Sequence, residues 1–570
     1  MIRAAAYAIV ALAALAGIPA ASAIAPKPAV VLPNGWVLSP PRGPEVATGT
    51  MPQGMAASPD GSTIAVVESG YNPAILGLYR VPDLARAASI ALPGAFGRPV
   101  WIDARHVLVA GANSDALLEI DVTTRRIDRF AFPKGSYPVA VAQSPDGKTL
   151  AVATDADAAV RIGTLESIGT SDPIAVGAHP SGIAFGAGGS SVFVTSRAAN
   201  QLVKIDVASR TTQSRPTGLH PSALAVTGNE IYVAQSDADS VGVYDPGDLH
   251  AIATVRVGDA APSNALGVSP DAVTVGADGV FVSLGAANSI AVLRDDRLAG
   301  RIDAGWYPTD ALDLNATLYV LDGKGEGSRP NPRFNRHDDD VDYIGAIEFG
   351  SLRAYPISPA ALRTGNPQGS RGWNVAAPSP LLRPGGPIKH VFFVLKENRS
   401  YDQVLGDMAA GNGDPALTWF GRDVTPNQHA IAARFGLFDN AYTSGEVSAA
   451  GHNWSDAGFA NDYVERWWPA LYGGRRALDD LTEGGGARLP ASGFLWDAAR
   501  RAGVSFRDYG ELVAGVLGSR GPLFAAVPSL RRRFDPRYVG WDLRYSDLDR
   551  AKEWRREFAA QVASGTLPQL

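Results

Sequence analysis

The 570 residues are 46% hydrophobic and 19% charged, a globular composition with length enough for at least two domains. A net charge of −6 gives no basis for a nucleic-acid partner, and the absence of cysteine excludes disulfides, thiol-linked lipid anchors and Cys-ligated zinc. The 62 glycines and 41 prolines point to many turns between short strands.

The chain opens on a stretch that reads as a secretory signal, residues 1–23. Arg3 is its basic residue, Ala4 to Gly17 its apolar core, and Ala21-Ser22-Ala23 a small-residue cleavage site. That core is shorter than the ~20 residues a spanning helix needs. The expectation is a periplasmic or secreted protein with no membrane span after cleavage.

A repeat follows, marked by a proline before an alternating apolar run. Its copies begin at Pro52, Pro99, Pro138, Pro180, Pro221, Pro270 and Pro308, in steps of 38 to 49 residues. Each start is followed by a second strand, such as Ile64–Val67, Leu150–Ala153, Val192–Thr195 or Ile231–Ala234. The turn between them is Ser-Pro-Asp-Gly at Ser58 and Ser144, which suits a type I turn. Third strands follow at Gln201–Asp206 and Ser240–Tyr244. Several short strands in a period near forty mean propeller blades, and seven starts mean seven blades. The repeat resembles the YVTN-type surface propellers of bacteria. Gly35–Leu38 is expected to close the ring as an outer strand, because an open ring leaves unpaired edges. His179 and His220 precede repeat prolines in two blades. They read either as ligands at one mouth of the channel or as loop filler where other blades carry Arg98, Tyr137 and Tyr307.

Gly323–Asp342 lacks apolar periodicity and reads as loop. Its adjacent Asp338, Asp339 and Asp340 read as a solvated charge run, since a calcium loop needs spaced carboxylates. Tyr343–Phe349 and Ser351–Tyr355 read as a junction hairpin. The propeller domain is thus drawn over 24–351, a linker over 352–386, and a second domain over 387–570.

The second domain reads as α/β. Val391–Leu395 is an unbroken apolar run, as expected of a parallel strand buried on both faces. Glu397 and Asn398 stand just behind it, where α/β sheets gather ligands. The plain alternative is a surface loop after a core strand. Thr425-Pro-Asn-Gln428 reads as a capping box opening a helix to about Phe435, and Leu437–Tyr442 as the next strand. Asn461–Trp468 reads as the exit of a helix begun near Ser448, with Trp467 and Trp468 packing a domain interface. Phe494–Arg501 and Leu548–Val562 read as later helices, and Val504–Tyr509 as a strand with Glu511 past its end.

The run Pro387–Gly406, PIKHVFFVLKENRSYDQVLG, resembles the N-terminal motif of the phosphoesterase family that contains bacterial phospholipases C and acid phosphatases, within the alkaline-phosphatase superfamily. The resemblance implies that Glu397 and Asn398 open a metal and phosphate site, and that divalent metal ions are the cofactor. The Thr-Pro-Asn helix and Asp439-Asn-Ala-Tyr442 are similar to the segment before the nucleophile in sulfatases and phosphodiesterases of that superfamily. This implies Ser448 as the nucleophile and His452 as a phosphate-holding group or metal ligand. A hydroxyl at a helix N-terminus meets free N–H groups that hold a phosphoryl group; the structural alternative is a plain helix start. Here Ala449-Ala450-Gly451 replaces the proline-rich, threonine-bearing turn of the phospholipase branch. The family's later Asn-Asp-His-Thr motif and further His and Asp ligands have no counterpart in this sequence.

The α/β domain is therefore expected to be incomplete at its C-terminal end. The expected function is an exported metal-dependent phosphoesterase, weak or inactive as this chain. Its propeller would recognise the phosphate-ester substrate or a protein or cell-envelope partner. The alternative is a non-catalytic propeller scaffold of the cell envelope.

Overall fold

The structure, a computed structural model, describes residues 30–32, 37–38, 43–258, 267–325, 327–328, 331, 343–357, 385–472, 486–514 and 523–570. The signal segment, Asp338–Asp340 and the linker from 358 to 384 lie outside the described residues.

Seven four-stranded antiparallel sheets form the propeller. Six of the seven repeat prolines open, or nearly open, their blade's innermost strand: Pro52–Ala57, Pro138–Gln143, Pro180–Phe185, Pro221–Val226, Pro270–Gly276 and Trp306–Leu314. In blade two the strand is Phe96–Trp101, with Pro99 inside it. These first strands pack against one another around the axis. Proline has no N–H to give a ladder, so it sits at a strand start or a bulge. The register does shift beside each of them, as between Pro52 and Gly54 or Pro221 and Leu224.

The joints between blades share one device. Met51, Tyr137, His179, His220, Ser269 and Tyr307, each just before its repeat proline, have left-handed φ of 37–61°. For a non-glycine residue that costs roughly 1–2 kcal/mol. Side chains from the preceding blade offset it: Asp115 Oδ1 accepts from Tyr137 N (3.0 Å), Asn200 Oδ1 from His220 N (2.7 Å) and Asn288 Oδ1 from Tyr307 N (3.0 Å).

Ring closure differs from the sequence expectation. Blade seven consists of Trp306–Leu314, Thr317–Gly325, Phe349–Pro356 and, outermost, Glu45–Thr50. Glu45, Val46 and Ala47 pair with Arg353, Leu352 and Ser351. Val37–Leu38 instead forms a two-residue ladder with Val30–Val31. The expected junction hairpin is also absent. Ile344–Ile347 is a single helical turn, α1, and Phe349–Pro356 is the blade's third strand. Only glycine lets the turn sit this close to its neighbours: a Cβ on Gly345 would lie 2.7 Å from the Trp468 ring and 2.8 Å from Tyr71.

The boundary drawn at Ser351 falls inside that third strand. A shortened chain from Ile24 to Ser351 would cut two of the four cross-strand pairs to Glu45–Thr50 and most of those to Thr317–Asp322. It is expected to unfold at a clearly lower temperature than a chain running to Ile357. Circular-dichroism melts of the two check this, and identical melts would refute it.

Beyond the propeller come α2 (Tyr401–Leu405), α3 (Pro426–Phe435), α4 (Ser448–Ala457), α5 (Asp462–Leu471), α6 (Leu495–Arg501) and α7 (Asp547–Ser564). The Thr425 capping box does not form, since its hydroxyl donates to Phe420 O at 2.7 Å. Gly458, left-handed at φ 69°, ends α4. Asn461 starts α5 by accepting from Val464 N at 3.1 Å, so Asn461–Trp468 is a new helix rather than an exit.

An alkaline-phosphatase-type α/β sheet is not seen among the described residues. The strands assigned there are two pairs of residues, Val513–Ala514 and Phe524–Ala525. Val391–Leu395 belongs to no ladder, and Leu437–Tyr442 is irregular. Extended segments do align: Val391 N donates to Gln569 O (2.8 Å), Gln569 N to Ser505 O (3.0 Å) and Asp508 N to Arg533 O (3.0 Å). The apolar run misleads because a parallel strand needs cover on both faces. Phe392 meets Trp554 and Phe558 of α7 on one side, yet it is 59% exposed and Val394 75%.

The helical part is anchored on the propeller instead. One core joins blades two to four to α4 and α5. Trp467 packs on Phe96 at 4.2 Å and on Tyr463 at 5.4 Å between ring centroids, and Val447, Ala450 and Val464 are buried with them. Polar contacts fix the same seam: Arg197 donates to Asp462 at 2.6 Å in a buried pair, and Arg466 to Gln53 O at 2.9 Å in a partly buried one.

Candidate functional site

Val447 is extended, so α4 begins at Ser448 and puts its hydroxyl at the helix N-terminus. That hydroxyl donates to Glu397 Oε1. His452 and Asp456 follow at i+4 and i+8, on the same helix face. His452 Nε2 lies 3.0 Å from Glu397 Oε2, and Nδ1 lies 3.0 Å from Glu511 Oε1. Asp456 stands behind: one ligand atom each of His452, Asp456 and Glu511 lies within 4.8 Å of the others. Asp456 is 4% exposed, and its Oδ2 has no hydrogen-bond partner. Asp508 Oδ1 accepts from Glu511 N at 3.1 Å and fixes that turn.

The electrostatics follow from this crowding. Hydrogen bonds to Glu397 and then Glu511 push His452 up to about 10, which keeps the ring protonated at neutral pH. The same ring holds Glu397 below its usual range. Burial, then the charge of Glu511, raises Asp456 to about 8 and Asp508 to about 7. Acids pushed apart in this way are poised for different roles.

Of the residues expected from sequence, Glu397, Ser448 and His452 are brought together. Asn398 is exposed, and its backbone carbonyl accepts from Arg399 at 2.7 Å, outside the cluster. His179 and His220 pair with Asp155 (3.0 Å) and Asp237 (2.9 Å), and His179 packs edge-on to Tyr463. They serve the seam between propeller and helices.

Sequence reasoning missed Asp456, Asp508 and Lys324. The i+4 spacing of Ser448, His452 and Asp456 was the available signal for the first. Lys324 leaves none, because its partners come from three distant segments. It is 2% exposed at the end of Thr317–Gly325, and its ammonium reaches Glu446 and, at 2.6 Å, Glu465. Glu465 also accepts from Trp454 of α4 at 3.3 Å. Glu446 lies two residues before Ser448, so blade seven holds the turn that presents the hydroxyl.

The fold defines a propeller protein carrying a docked helical segment. No family model matches the chain, and no curated protein does. Solved structures similar to it include virginiamycin B lyase from Staphylococcus aureus (13% identity, TM-score 0.41, covering 54% of this chain and 98% of that one). Hydrazine synthase from Kuenenia stuttgartiensis (15%, 0.41, 49% and 94%) and a streptogramin B lyase (11%, 0.41, 55% and 97%) are similar as well.

Proposed function

We propose that the chain is an exported, cation-dependent phosphate-ester hydrolase, with the propeller as the support of its site. The observation that carries this is the convergence of Ser448, Glu397 and His452 at the N-terminus of α4. Carboxylates with one imidazole are a donor set that suits a divalent ion, and the unpartnered Asp456 Oδ2 beside them fits such a group. The resemblance puts Glu397 among its ligands; when bound, the ion supplies positive charge that acidifies a hydroxyl and offsets phosphoryl charge.

The chain's own residues do the rest. The first N–H groups of α4 face an anionic phosphoryl group. Glu397 accepts the Ser448 proton as Oγ bonds to phosphorus and the ester bond breaks. Protonated His452 gives its proton to the leaving alkoxide, and water then hydrolyses the phosphoseryl ester. The test is hydrolysis of a chromogenic phosphate mono- or diester by the full chain with added manganese or zinc. Turnover is expected to be low and cation-dependent, to vanish in Ser448→Ala, and to fall about 10²–10⁴-fold in Glu397→Gln. Turnover unchanged in Ser448→Ala would remove the serine from this role.

A second reading has an observation of its own. Val391, Phe392 and Val394 form an exposed apolar run, as a non-catalytic scaffold of the cell envelope would offer a partner. No hydrolysis under any metal would favour it.

A further inference from the structure

The His452 ring divides the cluster in two. Its Nε2 side faces Glu397 and Ser448; its Nδ1 side faces Glu511 and Asp456. The Nδ1 side has what a cation seat needs. It offers one imidazole nitrogen and two carboxylates within 4.8 Å of one another. Asp456 is 4% exposed; its Oδ2 has no donor within hydrogen-bond reach, and its side chain meets the Glu511 carboxyl. A buried carboxyl oxygen without a donor is costly unless it takes up a proton or a cation binds it. Glu511 and His452 are half-open, at 20% and 28% side-chain exposure, so an ion has a way in.

The Nε2 side has the form of an outer shell. A histidine bound to a metal through one nitrogen typically donates its other N–H to a carboxylate, which orients the ring and strengthens it as a ligand. Nε2 stands 3.0 Å from Glu397 Oε2 in that arrangement. Asp508 fixes the Glu511 turn by accepting from its backbone N–H at 3.1 Å.

We propose that a divalent cation takes the place of the proton on Nδ1 of His452 and is held there with Asp456 and Glu511, and that Glu397, which the family resemblance makes a ligand, instead lies outside its coordination shell, linking the ring to the Ser448 hydroxyl. The oxygen-rich set with a single imidazole suits Mn²⁺ or Zn²⁺ rather than a thiophilic ion. The proposal takes from the functional reading only the expectation of a cation. Binding is measured without turnover, so saturable binding without hydrolysis would sink that reading and leave this one standing.

The test is calorimetric titration of the full chain with Mn²⁺, with pulsed EPR of the loaded protein. Wild type is expected to bind one Mn²⁺ showing a single nitrogen coupling. Asp456→Asn with Glu511→Gln should abolish saturable binding, while Glu397→Gln weakens it by about 10–100-fold, as outer-shell changes do. His452→Ala should remove the nitrogen coupling. The proposal is overturned if wild type shows no nitrogen coupling, if it binds no Mn²⁺, or if the double variant binds as wild type does. The wild-type spectrum decides even where a variant fails to fold.

Discussion

Lys324→Met is expected to destabilise the chain by about 3–5 kcal/mol, the usual cost of removing one partner from a buried ion pair. Lys324 is the ammonium among Glu446, Glu465 and Glu348, all buried. Burial opposes its charge, but Glu446 and Glu465 outweigh that and hold its pKa above normal. Even with the lysine in place, burial lifts Glu465 to about 7, and burial with the Glu446 charge lifts Glu348 well above its usual value. Methionine fills similar space without charge, so the carboxyls must take up protons to stay buried. Their folded pKa values then exceed the unfolded ones. The stability they contribute is intact below about pH 4 and lost as pH rises through the raised values. The melting temperature should therefore fall more at pH 8 than at pH 5, and Glu446→Gln added to Lys324→Met should restore part of it. A variant that melts like wild type at both pH values would show that the cluster is not an ion-pair network. In the enzyme reading, kcat should fall with the displaced turn before Ser448.

Trp467→Ala is expected to cost about 3–5 kcal/mol, as truncation of a buried aromatic does, and to loosen α5 from the propeller. The ring lies between Phe96 of blade two, Tyr463 and, at 6.1 Å, Tyr137 of blade three. Its loss opens a cavity at the seam rather than inside a blade. The blades bury each other, so they should outlast the seam. Limited proteolysis should cleave 458–472 before any blade, and near-ultraviolet dichroism should drop. Trp541→Ala, at an 83% exposed ring, is the control and should change little. Equal protease resistance in Trp467→Ala and wild type would mean that α5 does not depend on this packing.

Local pattern was enough for much of the molecule. Each repeat proline marks an inner strand because proline cannot serve mid-ladder, and the alternating run behind it can bury one face against the next blade. Ser546 and Gly565 bound α7, and Leu495–Arg501 lies where its apolar spacing and Gly503 put it, because caps and left-handed glycines act within one turn. The placing of Ser448 at a helix start came from the family resemblance rather than from a cap, since Val447 holds the cap position and makes no side-chain hydrogen bond there.

Tertiary structure decided the rest. Glu45–Thr50 and Val37–Leu38 are both short extended segments, and nothing local says which one reaches across the ring to Phe349–Pro356. Val391–Leu395 has the composition of a core strand, but composition does not supply the second covering face, and without one the run stays exposed. The site itself is of this kind. Glu397 and Ser448 are 51 positions apart, and His452 and Glu511 are 59 apart; Lys324 meets Glu465 across 141. A helix sets i and i+4 on one face, so Ser448, His452 and Asp456 were within reach of the sequence. Which acids meet them depends on how α4 and α5 settle on the propeller. That is fixed by the packing of Trp467 and the burial of one lysine, and no periodicity along the chain encodes either.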